Sequence, residues 1–394
     1  MKTTANYLLL LLLVIVSTAT AQQQCNSAPP RTSVVDWPEF RFDLCHTGYN
    51  PYEFVLSPAT VGNLGLKWQF TEENVNFGSS PAVVNGVVYI GAYPSDMYAL
   101  NAATGALLWD YSTYPLPVQS APAVANGVVY FGITYIRGDG AFYALNASTG
   151  TLIWQRGMGL VSSSPAIVNG VVYVGSDDSN VYALNASTGA VLWQYTTGGA
   201  VDSSPAVVNG VVYVGSENGN VYALNANTGA FRWQYATGGD GLYSSPALSN
   251  GVLYIGGGYI HGNGHVYALN ASTGALLWQY TTGSGDGASS PAVANGVVYI
   301  GSRDDNLYAL DAGTGALLWN YTTGNWVDSS PAVANGVVYV EADDGNVYAL
   351  NASTGALLWS YPTGGGLTPS PTVTNGVMYV GSFNGLFAFD LPHH

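Results

Sequence analysis

Short apolar runs alternate with polar pairs along most of the chain, and the alternation repeats with a long period. One unit shows the form. Ser164-Pro165-Ala166-Ile167-Val168 leads through Asn169-Gly170 into Val171-Val172-Tyr173-Val174-Gly175. A polar turn then precedes Val181 to Asn185, and the turn Thr188-Gly189 precedes a last run ending near Tyr195. Runs this short, rich in Val, Tyr and Leu and bounded by turn residues, predict four β-strands per unit. Asn-Gly between β-branched runs specifies a type I′ hairpin, because both central residues take positive φ.

The unit occurs eight times, at Pro81, Pro122, Pro165, Pro205, Pro246, Pro291, Pro331 and Pro371, a period of about 40 residues. No unit has room for a helix, which excludes helical solenoids. A right-handed β-helix has shorter coils and needs no reverse hairpins. The prediction is an all-β fold, an eight-bladed β-propeller of four-stranded antiparallel blades. Seven copies end in a Trp strand, at Trp109, Trp154, Trp193, Trp233, Trp278, Trp319 and Trp359, whereas the eighth stops at Asp390 without one. The orphan strand Leu66-Lys67-Trp68-Gln69-Phe70 is expected to pair with the last blade, because an open ring would expose a long edge.

Residues 1–21 read as an export signal, with Lys2, the apolar run Leu8 to Val16 and the small-residue site Ala19-Thr20-Ala21. The run is too short to span a bilayer. Residues 22–64 are then an N-terminal extension and 65–394 the propeller. Export places the protein in the periplasm, at the cell surface or outside the cell. In such an oxidising compartment Cys25 and Cys45, the two cysteines, are expected to pair.

Composition narrows function by exclusion. The chain is 48% hydrophobic and only 8% charged, which excludes a disordered protein. With 23 acidic residues against 8 basic ones, it cannot build the basic stripe of a nucleic-acid binder.

The segment Ala183-x-Asn185-x-x-Thr188-Gly189-x-x-x-Trp193 resembles the tryptophan-docking motif of PQQ-like propellers, and seven copies cover residues 99–359. Val61-Gly62-Asn63-Leu64-Gly65-Leu66-Lys67-Trp68 is similar to the first strand of quinoprotein dehydrogenases. The resemblance implies two kinds of function: PQQ- and Ca²⁺-dependent oxidation of an alcohol or sugar, or non-catalytic binding as in the outer-membrane assembly lipoprotein. The vicinal Cys-Cys pair that such enzymes place against their quinone is missing here. Trp68 and the seven repeat tryptophans are read as core, each worth roughly 4 to 6 kcal/mol of gross transfer free energy.

In such blades the Asn-Gly and Thr-Gly turns share one face and hardly vary. The other connections share the opposite face and differ in length and content: Tyr93-Pro94-Ser95-Asp96, Tyr114 to Val118, Tyr135 to Gly140, Tyr259 to His265 and Asn325-Trp326. Loops that differ on a repeated scaffold are where specificity is encoded. The channel mouth is expected at the residues three before each proline, Gly78, Gln119, Ser162, Asp202, Tyr243, Ala288, Asp328 and Thr368. Glu341 stands where other copies carry Gly175, Gly215 or Gly301. The candidate binding residues are Asp202, Tyr243, Trp326, Asp328, Glu341, Arg137, Arg303 and His261. The expected function is that of an exported, monomeric, non-catalytic binding or scaffold protein without a cofactor, taking a protein, small-molecule or glycan ligand on the variable face. The alternative is a reduced quinoprotein oxidoreductase with PQQ and Ca²⁺.

Overall fold

A computed structural model describes residues 35–134, 140–238, 241–258, 264–284, 289–365 and 369–392. Cys25, Arg137 and His261 lie outside them. The described residues form eight antiparallel sheets of four consecutive or ring-closing strands, one of them extended by a fifth, two-residue strand. In blade three the inner strand Ala166–Val168 pairs with Val171–Ser176, then with Asn180–Asn185 and the outer strand Val191–Thr196. Asn169 and Gly170 take φ of 50° and 77°, the positive values that the hairpin demands.

Ring closure follows the expected pairing. Gly65–Phe70 is the outer strand of the last blade, with Trp68 opposite Ala388. Lys67 Nζ reaches Asp390 at 2.7 Å and pins the joint.

Blades are held to one another by one repeated contact. Trp193 lies against Gly229 of the next blade, where a Cβ would sit 2.6 Å from ring atom Cε3, and Gly229 has φ of +69°. Only glycine tolerates both conditions. Trp193 Nε1 donates to the Ala226 carbonyl at 2.8 Å, and the Tyr173 hydroxyl donates to the same oxygen at 3.2 Å. Asn225 Oδ1 accepts the amides of Asn227 and Thr228, fixing the turn that presents Gly229. Seven joints follow this scheme, including Trp68 and Tyr379 on the Ala102 carbonyl of blade one. The eighth differs. Blade eight lacks the docking turn, so Trp359 donates to the Leu64 carbonyl at 3.1 Å, and the buried Tyr339 hydroxyl has no hydrogen-bond partner.

Paired serines stitch the inner rim. The first serine of a pair accepts an amide within its own blade, as Ser203 Oγ does from Gly215 at 3.0 Å. The second accepts from the preceding blade: Ser164 N–H to Ser204 Oγ, Ser204 to Ser245, Ser245 to Ser290, Ser290 to Ser330, Ser330 to Ser370 and Ser370 to Ser80. Ala121 donates to Ser164 but, having no hydroxyl, breaks the belt between blades one and two.

The extension fills the channel. Inner strands leave their free edges facing the axis, and Trp37 to Asn50 runs past all eight. Trp37 exchanges two backbone bonds with Val83, at 2.7 and 2.8 Å. The carbonyls of Pro38, Leu44, Cys45, Thr47 and Gly48 accept the amides of Val124, Val207, Leu248, Val293 and Val333. The Glu39 carboxyl takes the Ile167 amide, and Asn50 Nδ2 donates to the Val373 carbonyl at 2.9 Å. Arg41 donates to the carbonyls of His46, Ser290 and Pro291. Edges that would otherwise be open are thereby paired. Cys45 is disulfide-bonded, and Cys25 is the only other cysteine of the chain.

Two stability outcomes follow. Tyr339→Phe removes an unpartnered buried hydroxyl and is expected to raise stability by about 1 kcal/mol, whereas Tyr213→Phe, which loses its bond to Ala271, lowers it by a similar amount. Ala121→Ser supplies the missing acceptor and should raise the melting temperature, for a gain of about 0.5–1.5 kcal/mol. Thermal and urea denaturation measure both.

Candidate functional site

A cavity of about 280 Å³ opens at the variable face, and the extension forms its floor through Phe40. The serine belt lines its wall. Its mouth carries Gly78, Gln119, Ser162, Asp202, Tyr243 and Asp328, so six of the eight residues expected three before the prolines lie where the repeat placed them. A second recess of about 370 Å³ lies beside it over blades one to three, lined by Tyr93, Pro94, Pro115, Pro117, Thr134 and Leu160. Gln119 and Ser162 line both. Tyr93 and Tyr114 stand exposed beside this apolar groove, Tyr114 at 78%.

The structure brings four of the candidates together. Arg303 grips Asp328 through Nε and Nη2, at 2.8 and 2.7 Å, and its guanidinium lies 5.0 Å from the Trp326 ring centroid. Hydrogen bonding to Asp328 holds Arg303 above its ordinary pKa. Tyr243 lies near enough to interact with that charge. Asp343, across Asp328, is pushed up to about 6 by burial and then by the Asp328 charge.

Asp202 occupies a different corner. Burial first, and then Asp177 and Glu217, push its carboxyl up to about 8. Asp202 hydrogen-bonds with the carboxyls of Asp177 and Glu217, and no N–H group reaches Asp202 Oδ1 or Asp177 Oδ1. These three acids converge between blades three and four with no basic partner among them.

Glu341 does not belong to the surface. Its side chain is fully buried, with Oε1 accepting from the Thr363 hydroxyl at 2.7 Å and Oε2 unpartnered, and burial raises its pKa well above the ordinary value. Replacing glycine at the end of a second strand puts a side chain into the joint between blades, where Gly301 is covered by Val327. Other acids of the variable face are also structural. Asp178, Asp304 and Asp344 accept the hydroxyls of Tyr182, Tyr308 and Tyr348, at 2.7, 2.5 and 2.5 Å.

Sequence reasoning missed Asp177, Glu217 and Asp343 as site residues, and Phe40 as the floor. The available signal was register. Asp177, Glu217, Arg303 and Asp343 hold one repeat position and Asp178, Asn218, Asp304 and Asp344 the next, so a structural series and a channel-facing series alternate.

With this geometry in view, the relatives can be placed. A family model described as outer membrane protein assembly factor BamB matches residues 63–197, 138–290 and 262–391. The chain belongs to the BamB family. BamB from Moraxella catarrhalis superposes with a TM-score of 0.68 at 21% identity, covering 84% of this chain and 98% of that one. A europium-containing methanol dehydrogenase superposes with 0.79 at 17% identity, covering 92% and 99%. Likenesses this distant establish the fold of this BamB-family chain. The quinohemoprotein alcohol dehydrogenase of Comamonas testosteroni is 32% identical over 71 residues, which span 18% of this chain and 10% of the enzyme.

PQQ carries three carboxylates, and the described cavity lining, whose ionisable acids are Asp202 and Asp328, offers them no cationic side chain. Arg303 is already committed to Asp328, and Arg41 to backbone carbonyls. Among the described residues no group of three or more His, Cys, Asp or Glu is placed to hold a metal ion. The described residues of the cavity do not fit PQQ with Ca²⁺.

The raised Asp202 carboxyl sets a pH dependence. Folded, it keeps its proton up to about 8, whereas the unfolded chain releases it near 3.8. The unfolded state then binds fewer protons across this window, so stability falls as pH rises from about 4 to 8. Asp202→Asn should melt at a higher temperature than the parent at pH 8 and at nearly the same temperature at pH 4, read by calorimetry at both.

Proposed function

We propose that this chain is an exported, non-catalytic binding protein that engages its partner through the variable face. The observation that carries the reading is the extension. Because it pairs with the inner edge of every blade, the channel is filled from the side of the uniform turns, and the remaining cavity communicates with the face that differs from blade to blade. Exposed Tyr93, Tyr114 and Trp326 around that opening supply large apolar contact area in the manner of interface anchors. Membership of a family described as an outer membrane assembly factor supports protein association in the envelope, as does the disulfide-bonded Cys45. No helix among the described residues is long and apolar enough to cross a membrane.

Oxidation of an alcohol or sugar is the second reading, favoured by the shared propeller of the methanol dehydrogenase and opposed by a described lining that offers a quinone carboxylate no uncommitted cation. One experiment addresses both. The purified protein is incubated with PQQ and Ca²⁺, desalted, and examined for quinone absorbance and for dye reduction with alcohols and aldoses. In parallel, envelope proteins are captured on the parent and on a Tyr114→Ala/Trp326→Ala variant. The expected result is no retained quinone, no turnover, and capture of a defined protein that the variant loses while melting within a few degrees of the parent. Retained quinone with turnover, or capture indifferent to both aromatics, would overturn the reading.

A further inference from the structure

Comparison of two corners of the same ring goes further. Asp177, Asp202 and Glu217 occupy the repeat positions that Arg303, Asp328 and Asp343 occupy three blades on. Backbone geometry shows the shared position for Asp177, Glu217 and Asp343. The amides of Asp177, Glu217 and Asp343 donate to the carbonyls of Leu160, Ala200 and Trp326, each two residues before a mouth position, at 3.0, 2.9 and 2.8 Å. In the second corner the protein supplies its own guanidinium: Arg303 forks onto Asp328, faces Asp343 and lies over Trp326. In the first corner an acid stands where Arg303 would be, and Asp202 hydrogen-bonds only with the carboxyls of Asp177 and Glu217, with no basic group supplied.

We propose that the groove and cavity together form a docking surface for an extended polypeptide whose basic side chain enters between Asp177, Asp202 and Glu217. This rests on the binding reading above and names its ligand class. Three observations converge. The chain's formal charge of −15 complements a cation, and a cation entering the corner takes the place of the proton that Asp202 otherwise holds. No group of acids among the described residues is placed for a metal ion, whereas a guanidinium or ammonium satisfies carboxylates spread over a wider corner. The apolar groove adjoins the corner directly, since Leu160 lines the groove and its carbonyl holds the Asp177 amide. A basic residue flanked by apolar ones therefore has a place for both parts.

The probe is acetyl-Leu-Leu-Arg-amide, with acetyl-Leu-Leu-Gln-amide as its uncharged counterpart, titrated by calorimetry into the full-length exported protein. The Arg peptide is expected to bind at least about tenfold more tightly than the Gln peptide. Asp177→Arg, which rebuilds the Arg303 arrangement on Asp202, should abolish that preference and keep or raise the melting temperature. Arg303→Asp should open the second corner and add a second site for acetyl-argininamide. Glu72→Gln/Glu73→Gln, which removes charge away from the cavity, should change nothing. Equal binding of both peptides, an undiminished preference in Asp177→Arg, or an equal loss in the Glu72/Glu73 control would overturn the proposal. If the peptide tests fail while envelope capture still depends on Tyr114 and Trp326, the basic-chain assignment falls and the binding reading stands.

Discussion

A tryptophan laid against a glycine of the next sheet is the contact on which the ring depends. Its indole nitrogen and a tyrosine hydroxyl from its own blade converge on one carbonyl, so burial and hydrogen bonding are spent at the same point. The geometry also fixes orientation. A side chain at Gly229 would collide with the ring, and a blade lacking the shared carbonyl, as blade eight does, leaves Tyr339 without a partner. Seven equivalent joints and one improvised one are the result of writing a closed circle with a linear chain.

Inside that circle, two further constraints act on the inner strands. Three-residue strands have little surface to bury, and their free edges point at one another across the channel. Serine hydroxyls link every neighbouring pair of strands except that of blades one and two, and the extension pairs with the free edges. The space left over is therefore shallow, polar at its wall and open toward irregular loops. The chemistry at its mouth then follows from single substitutions in a repeated frame. The same backbone position carries Arg303 in one blade and Asp177 in another, which turns an ion-paired corner into one made of acids alone.

Much of this was legible in the amino acids. The hairpins were, because Asn-Gly has a unique local meaning, and closure was, because Trp68 matched a strand type that only the last copy lacked. Mouth residues such as Asp202 and Asp328 could be placed by counting from proline. The extension's path could not be read, since its partners are single residues in eight different strands and nothing in Trp37 to Asn50 repeats. Its density of Glu39, Arg41, Asp43 and His46 in a chain with few charges was a signal left unused. Glu341 was misjudged for a related reason. Replacement of a glycine shows that a side chain is present, but whether it faces water or a neighbouring sheet depends on packing between blades.

The threading of the first segment through the whole ring carries a consequence for how the molecule is made. Asn50 holds Val373, and Gly65–Phe70 completes a sheet whose other strands come after those of the seven other blades. Neither tie exists until blade eight has been synthesised, so early blades must wait with an exposed flank and an untethered extension. Contacts this remote in sequence make the final locking step slow and leave the incomplete chain vulnerable to mispairing with other copies. For a polypeptide of this design, the interval between synthesis and locking is when it most needs a chaperone.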